Sequence, residues 1–73
     1  NIMKYQILIN GMSCEHCSSS VKESLLKING ITNVTLDLKN KNAIIDSDSE
    51  IDFNEIKDSI EDIGFEFVDI KTL

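Results

Sequence analysis

Cys14 and Cys17, in the run Gly11-Met12-Ser13-Cys14-Glu15-His16-Cys17, are the residues of this chain whose type and spacing could do chemistry. Two thiols separated by two residues at the start of a helix point toward one spot, and that spot can hold a soft metal ion or close into a redox disulfide. His16 is tempting as a third ligand. Between two cysteines at a helix start, however, its side chain is expected to point away from the sulfurs and to stay exposed, leaving at most a secondary contact. Haem attachment would need a histidine directly after the second cysteine, where Ser18 stands. A structural zinc site wants four ligands, and the local candidates stop at Cys14, Cys17 and His16. A thioredoxin-like dithiol usually has a proline inside the pair and a cis-proline opposite, but this chain contains no proline. Two buried, inert cysteines fit poorly with the polar flank of Ser13, Glu15, His16, Ser18, Ser19 and Ser20. Metal binding is the expectation, with a dithiol redox or regulatory module as the alternative.

The elements that position the pair can be read along the chain. Residues 3–9 alternate Tyr5, Ile7 and Ile9 on one face and predict a strand, with Leu8 breaking strict alternation and Asn10-Gly11 ending it. A helix is expected to start inside or just after the cysteine pair and to run to about Lys27, burying Val21, Leu25 and Ile28, with Asn29-Gly30 closing it. A second strand is predicted over residues 32–38, with Val34, Leu36 and Leu38 on its apolar face. The third is carried by Ala43-Ile44-Ile45, and the polar residues 39–42 join the two as a hairpin. After a polar loop over 46–50, Asp52 and Glu55 mark a helix start of capping-box type, followed by Phe53, Ile56, Ile60 and Ile63 at helical spacing. Gly64 ends that helix, and a last strand is expected over 65–70. The order is βαββαβ, a ferredoxin-like α+β sandwich: a four-stranded antiparallel sheet with two helices on one face.

Composition narrows the function classes. A chain of 73 residues makes one small domain, which at such a size buries only about 60% of the surface exposed by the unfolded chain and leaves no room for a cleft enzyme. No catalytic residue is assigned. The longest apolar run is three residues, too short to span a bilayer, and no stretch reads as a secretory signal. A cytoplasmic location is the expectation, where a close thiol pair stays reduced. The net charge of −6 is uneven. Residues 1–45 carry five lysines against three acids, whereas residues 46–69 carry ten acids against Lys57 alone. A basic protein partner fits that acidic half, and phosphate-backbone binding does not, so no nucleic acid is expected.

Placed after a first strand and ahead of a helix, the run from Gly11 to Cys17 resembles the heavy-metal-associated domain family, over nearly the whole chain and as a single domain at residues 3–71. That family includes soluble copper chaperones, N-terminal domains of heavy-metal P-type ATPases and mercury-binding proteins. The resemblance implies the same sandwich. It makes Cys14 and Cys17 the metal ligands, Met12 an inward-packed prop of the loop, and Phe65 an aromatic that shields the metal. Ser13, in a position where zinc and cadmium transporters often carry a carboxylate, points to Cu(I), with Ag(I) or Hg(II) as substitutes and a domain for another heavy metal, Hg, Zn or Cd, as the alternative. Two soft thiolates satisfy Cu(I) without filling its coordination shell, so a partner's cysteine can enter and take the ion. The implied partner is a copper-transporting ATPase or a copper chaperone with a matching domain. The apo chain is expected to be a monomer, and a copper-bridged dimer can form on loading. Met3 as a natural start fits a free chaperone, and Phe65 fits an ATPase domain.

Overall fold

In the computed structural model, which describes residues 2–11 and 15–73, the elements follow the expected order. They are β1 (Met3–Asn10), α1 (Glu15–Leu26), β2 (Ile31–Asp37), β3 (Asn42–Ser47), α2 (Phe53–Asp62) and β4 (Glu66–Thr72). The alternation of β1 sets the sheet: Tyr5, Ile7 and Ile9 are buried on one face, while Gln6 and Leu8 stand half-buried on the other. The strands lie in the order β2-β3-β1-β4 and every pairing is antiparallel. Val21 and Leu25 of α1 and Ile56 and Ile60 of α2 join Tyr5, Ile7, Ile9, Val34 and Ile45 in one buried cluster, so both helices cover the same face. This is the ferredoxin-like α+β sandwich that the sequence predicts.

Both edge strands carry one extra residue. In β2 the register passes from Ile31 opposite Ser47 to Asn33 opposite Asp46, skipping Thr32. In β4 it passes from Phe67 opposite Ile9 to Asp69 opposite Leu8, skipping Val68. These bulges place residues an odd number of positions apart on one face. Ile31 and Val34 are both buried, and Phe67 and Ile70 both pack against the core, while Val68 remains 51% exposed.

The boundaries depart from the sequence reading where polar residues extend an element. β3 runs on through Asp46 and Ser47, which the pattern assigned to a loop. Ser47 is fully buried because its hydroxyl donates to the carbonyl of Ser49 at 2.6 Å. Leu38, expected on the buried face, lies beyond the end of β2 in the hairpin turn and is exposed. Phe53 and Ile63 are also exposed, although Phe53 meets the Tyr5 ring edge-on, with centroids 5.6 Å apart. Asn29 does not take the left-handed conformation. Gly30 does, with φ +100, between the end of α1 and β2. Asp52 caps α2 by accepting from the Asn54 N–H at 2.9 Å. Phe65, assigned by the sequence to the last strand, precedes β4.

Two consequences can be measured. A methyl group on Gly30 would fall 2.6 Å from Ser49 Oγ and 3.1 Å from Ile51 Cδ1, on a backbone that already disfavours it. Gly30→Ala should therefore cost roughly 1–3 kcal/mol in denaturant unfolding. In the hairpin turn, hydrogen bonds from the Asn40 side chain (2.7 Å) and backbone N–H (3.1 Å) hold the Asp37 carboxyl below its ordinary value of 3.8. With the folded value depressed, the stabilisation from this turn is complete above the unfolded value and is lost as pH falls through the folded one. An NMR titration of the Asp37 carboxyl should show the lowered midpoint in the parent, and Asn40→Ala should move it back toward the ordinary value.

Candidate metal centre

The cysteine motif begins where β1 runs out. Gly11 has φ +103, a left-handed turn that a residue with a side chain rarely adopts, and it carries the chain out of the sheet toward the pair. Met12, Ser13 and Cys14 lie outside the described residues. α1 starts at Glu15, inside the pair, as the sequence reading has it. Cys17 consequently stands in the first turn of that helix and is partly exposed, at the end where the helix macrodipole favours negative charge. His16 is exposed, and its carbonyl accepts a hydrogen bond from Ser20 Oγ at 3.2 Å.

The other side of the site is built by the end of α2. Gly64, with φ +91, sits just past the helix: its N–H donates to the Glu61 carbonyl at 3.0 Å, and the Phe65 N–H donates to the Ile60 carbonyl at 3.2 Å. Together these bonds form a Schellman motif, which closes the helix and fixes the direction in which the next residue leaves. Phe65 leaves toward Gly11. Its ring lies so close that a Cβ on Gly11 would fall 2.9 Å from Cδ1, 3.7 Å from Cε1 and 3.9 Å from Cγ. Beside it Asn10 pairs with Glu66 across the β1–β4 ladder, and the Asn10 side-chain amide donates to Glu66 Oε1 at 2.8 Å.

The structure thus brings Phe65 beside Gly11, the first residue of the motif, with Cys17 and His16 in the first turn of α1. Phe65 is half-buried and packs against the core. Sequence reasoning had Asn10-Gly11 only as the end of the first strand, and missed the approach of Phe65 to Gly11 and the Asn10–Glu66 bond. No local signal could reveal these contacts, because the partners come from opposite ends of the chain and meet only in the folded sheet. Among the described residues, no group of three or more His, Cys, Asp or Glu side chains is placed to hold a metal ion. The exposed acids Glu55, Asp58, Glu61 and Asp62 lie on α2, and the last two stand at its C-terminal end, just before Gly64 and Phe65.

Comparison with known proteins points the same way as this geometry. The chain is 38% identical over 68 residues to the copper chaperone CopZ of Staphylococcus aureus strain JH9, covering 90% of this chain and 100% of the relative. Its fold superposes on a CopZ metallochaperone with a TM-score of 0.83 at 35% identity, covering 89% of this chain and 98% of the other. A copper binding domain from HMA7, a P-type ATPase, matches with a TM-score of 0.80 at 33% identity, covering 97% of this chain and 93% of that domain. The model of the heavy-metal-associated domain matches residues 6–66, a span that takes in the second half of β1, the whole cysteine motif, both helices and Phe65. With sandwich, motif placement and sequence in agreement, the chain belongs to the heavy-metal-associated domain family.

Proposed function

We propose that this protein binds one Cu(I) between Cys14 and Cys17 and passes it to a partner domain by exchange of thiolate ligands. The observation that carries the reading is the cysteine pair at the N-terminus of α1, in a chain that matches copper chaperones along nearly their whole length. Two thiolates suit a soft monovalent ion and leave its coordination unsaturated. An incoming thiolate from a partner adds to the ion as a third ligand. One of the original sulfurs then departs, and repetition of that step moves the ion without releasing it to water. No bond to carbon changes and no electron moves, so the work is carriage and not catalysis. Met12 props the loop and Phe65 borders it, while His16 on its exposed position contributes at most a secondary contact. Ag(I) and Hg(II) share the preference for a thiolate pair and can substitute.

Competition with a Cu(I) chelator tests the ligand set. Cys14→Ser and Cys17→Ser should each weaken Cu(I) binding by more than the roughly 10–100-fold that loss of a residue merely orienting a ligand costs. His16→Ala should change it by less than about threefold, under 1 kcal/mol. A loss for His16→Ala as large as for either cysteine would make His16 a ligand.

The acidic end of α2 supports a recipient or donor that presents lysines or arginines around its own cysteine pair, such as a matching domain of a copper-transporting ATPase. Reversing the charge of Glu61 and Asp62 together should slow Cu(I) transfer to such a partner at low salt while leaving Cu(I) affinity unchanged, and the parent rate should fall as ionic strength rises. Stopped-flow transfer at two salt concentrations measures both. An unchanged rate for the reversed variant, together with a salt-independent parent, would reduce these acids to a solvated face.

Unsaturated coordination at a cysteine pair whose Cys17 is partly exposed also lets two copies share one ion. Sedimentation of apo and Cu(I)-loaded protein should show a weak, copper-dependent dimer, and identical profiles would exclude it.

A further inference from the structure

Among the asparagines of this chain, Asn10 and Asn29 are the ones followed by a glycine. Such a step is chemically labile, because the next backbone nitrogen can attack the side-chain amide and glycine puts no side chain in the way. We propose that Asn29 is a site of spontaneous modification, where the Gly30 nitrogen closes on the Asn29 side chain and water reopens the ring to an aspartyl or isoaspartyl residue, and that the fold protects Asn10 from the same reaction. The inference does not depend on how the cysteines work.

The two steps share a sequence and differ in their surroundings. Asn10 ends β1 opposite Glu66 in the ladder to β4, and its side-chain amide donates to Glu66 Oε1 at 2.8 Å. Both the backbone and the amide that would have to move are therefore held. Asn29 is exposed in the turn after α1, and among the described residues neither its side chain nor the Gly30 N–H has a hydrogen-bond partner. There the Gly30 nitrogen gives up its proton and bonds to Asn29 Cγ, and the Cγ–Nδ2 bond breaks with release of ammonia. Water then cleaves one of the two C–N bonds of the cyclic imide. Cleavage at Cγ restores the ordinary backbone and leaves an aspartate. Cleavage at the main-chain carbonyl leaves Gly30 joined through Cγ, with the Asn29 methylene now part of the backbone.

The contacts of Gly30 make the second product the damaging one. Its carbonyl accepts from the Asp48 N–H at 2.9 Å, and the Ile31 N–H reaches back to the Ile28 carbonyl at 3.2 Å, so the turn is clasped to the loop after β3 and to the end of α1. Gly30 also lies hard against that loop, where a Cβ would fall 2.6 Å from Ser49 Oγ. A lengthened backbone shifts Gly30 against all of these partners. Aspartate at position 29 only adds a negative charge just past the C-terminus of α1, where the macrodipole disfavours it. Cys17 stands in the first turn, at the opposite end of that helix, and is touched by neither product.

The test incubates the full chain, folded and in guanidinium chloride, at mildly alkaline pH and follows both sites by peptide mapping with mass spectrometry. In the folded protein Asn29 should convert at least about tenfold faster than Asn10, the factor that a hydrogen bond to a charged acceptor supplies. In denaturant the two rates should converge. Glu66→Ala should speed conversion of folded Asn10 and leave Asn29 unchanged. Folded Asn10 reacting as fast as Asn29, or a ratio that persists in denaturant, would overturn the proposal. The isolated isoaspartyl form should also unfold at a lower denaturant midpoint than Asn29→Asp, and equal midpoints would overturn the role given to the Gly30 contacts.

Discussion

Burial of one side of β1 is the constraint on which the rest of this structure depends. The strand is paired on both edges, to β3 and to β4, and its side chains Tyr5, Ile7 and Ile9 lie under both helices. A slip of one residue in either pairing would turn all three toward solvent and bring Gln6 and Leu8 into the core, so the register is held by the hydrophobic effect as much as by the ladder. The position at which β1 ends is thereby fixed as well. The cysteine motif inherits that position, because Gly11 follows directly and α1 begins within the motif.

The end of α2 is fixed by different means and arrives at the same place. Its register comes from Ile56 and Ile60, both fully buried, and its termination from hydrogen bonds to the carbonyls of Ile60 and Glu61. Core packing and helix capping thus act in series: the first sets the rotation of the helix and the second the exit of the chain. Phe65 is delivered against Gly11 by that combination.

Much of this was legible in the sequence because the apolar pattern is strong where the core is deepest. Tyr5, Ile7 and Ile9 announce a strand, Val21 and Leu25 a helix, and Ile56 and Ile60 a second helix, and all seven are buried. The reading failed where burial and polarity part company. Ser47 looks like a loop residue but belongs to β3, since a bond to its neighbour's carbonyl satisfies the hydroxyl inside the core. Leu38 and Ile63 look like core and are exposed, because β2 and α2 end just before them, and Phe53, the first residue of α2, is exposed while its ring meets Tyr5 edge-on. In the site, the spacing of Cys14 and Cys17 is visible in seven consecutive letters, whereas the approach of Phe65 to Gly11 is a tertiary fact. A glycine before a motif signals a turn, and it does not say whose ring will fill the space.

The two bulges have a consequence for what this domain avoids. A four-stranded sheet has two edges, and each offers unpaired backbone groups to any neighbouring strand. Here the extra residue falls on each edge strand, Thr32 in β2 and Val68 in β4, and on neither central strand. A bulged edge is locally twisted and out of step, so a second copy cannot continue the ladder along its length. On the proposed reading, in which copper passes to a matching domain, irregular edges keep an encounter between two such sheets from extending into a shared ladder.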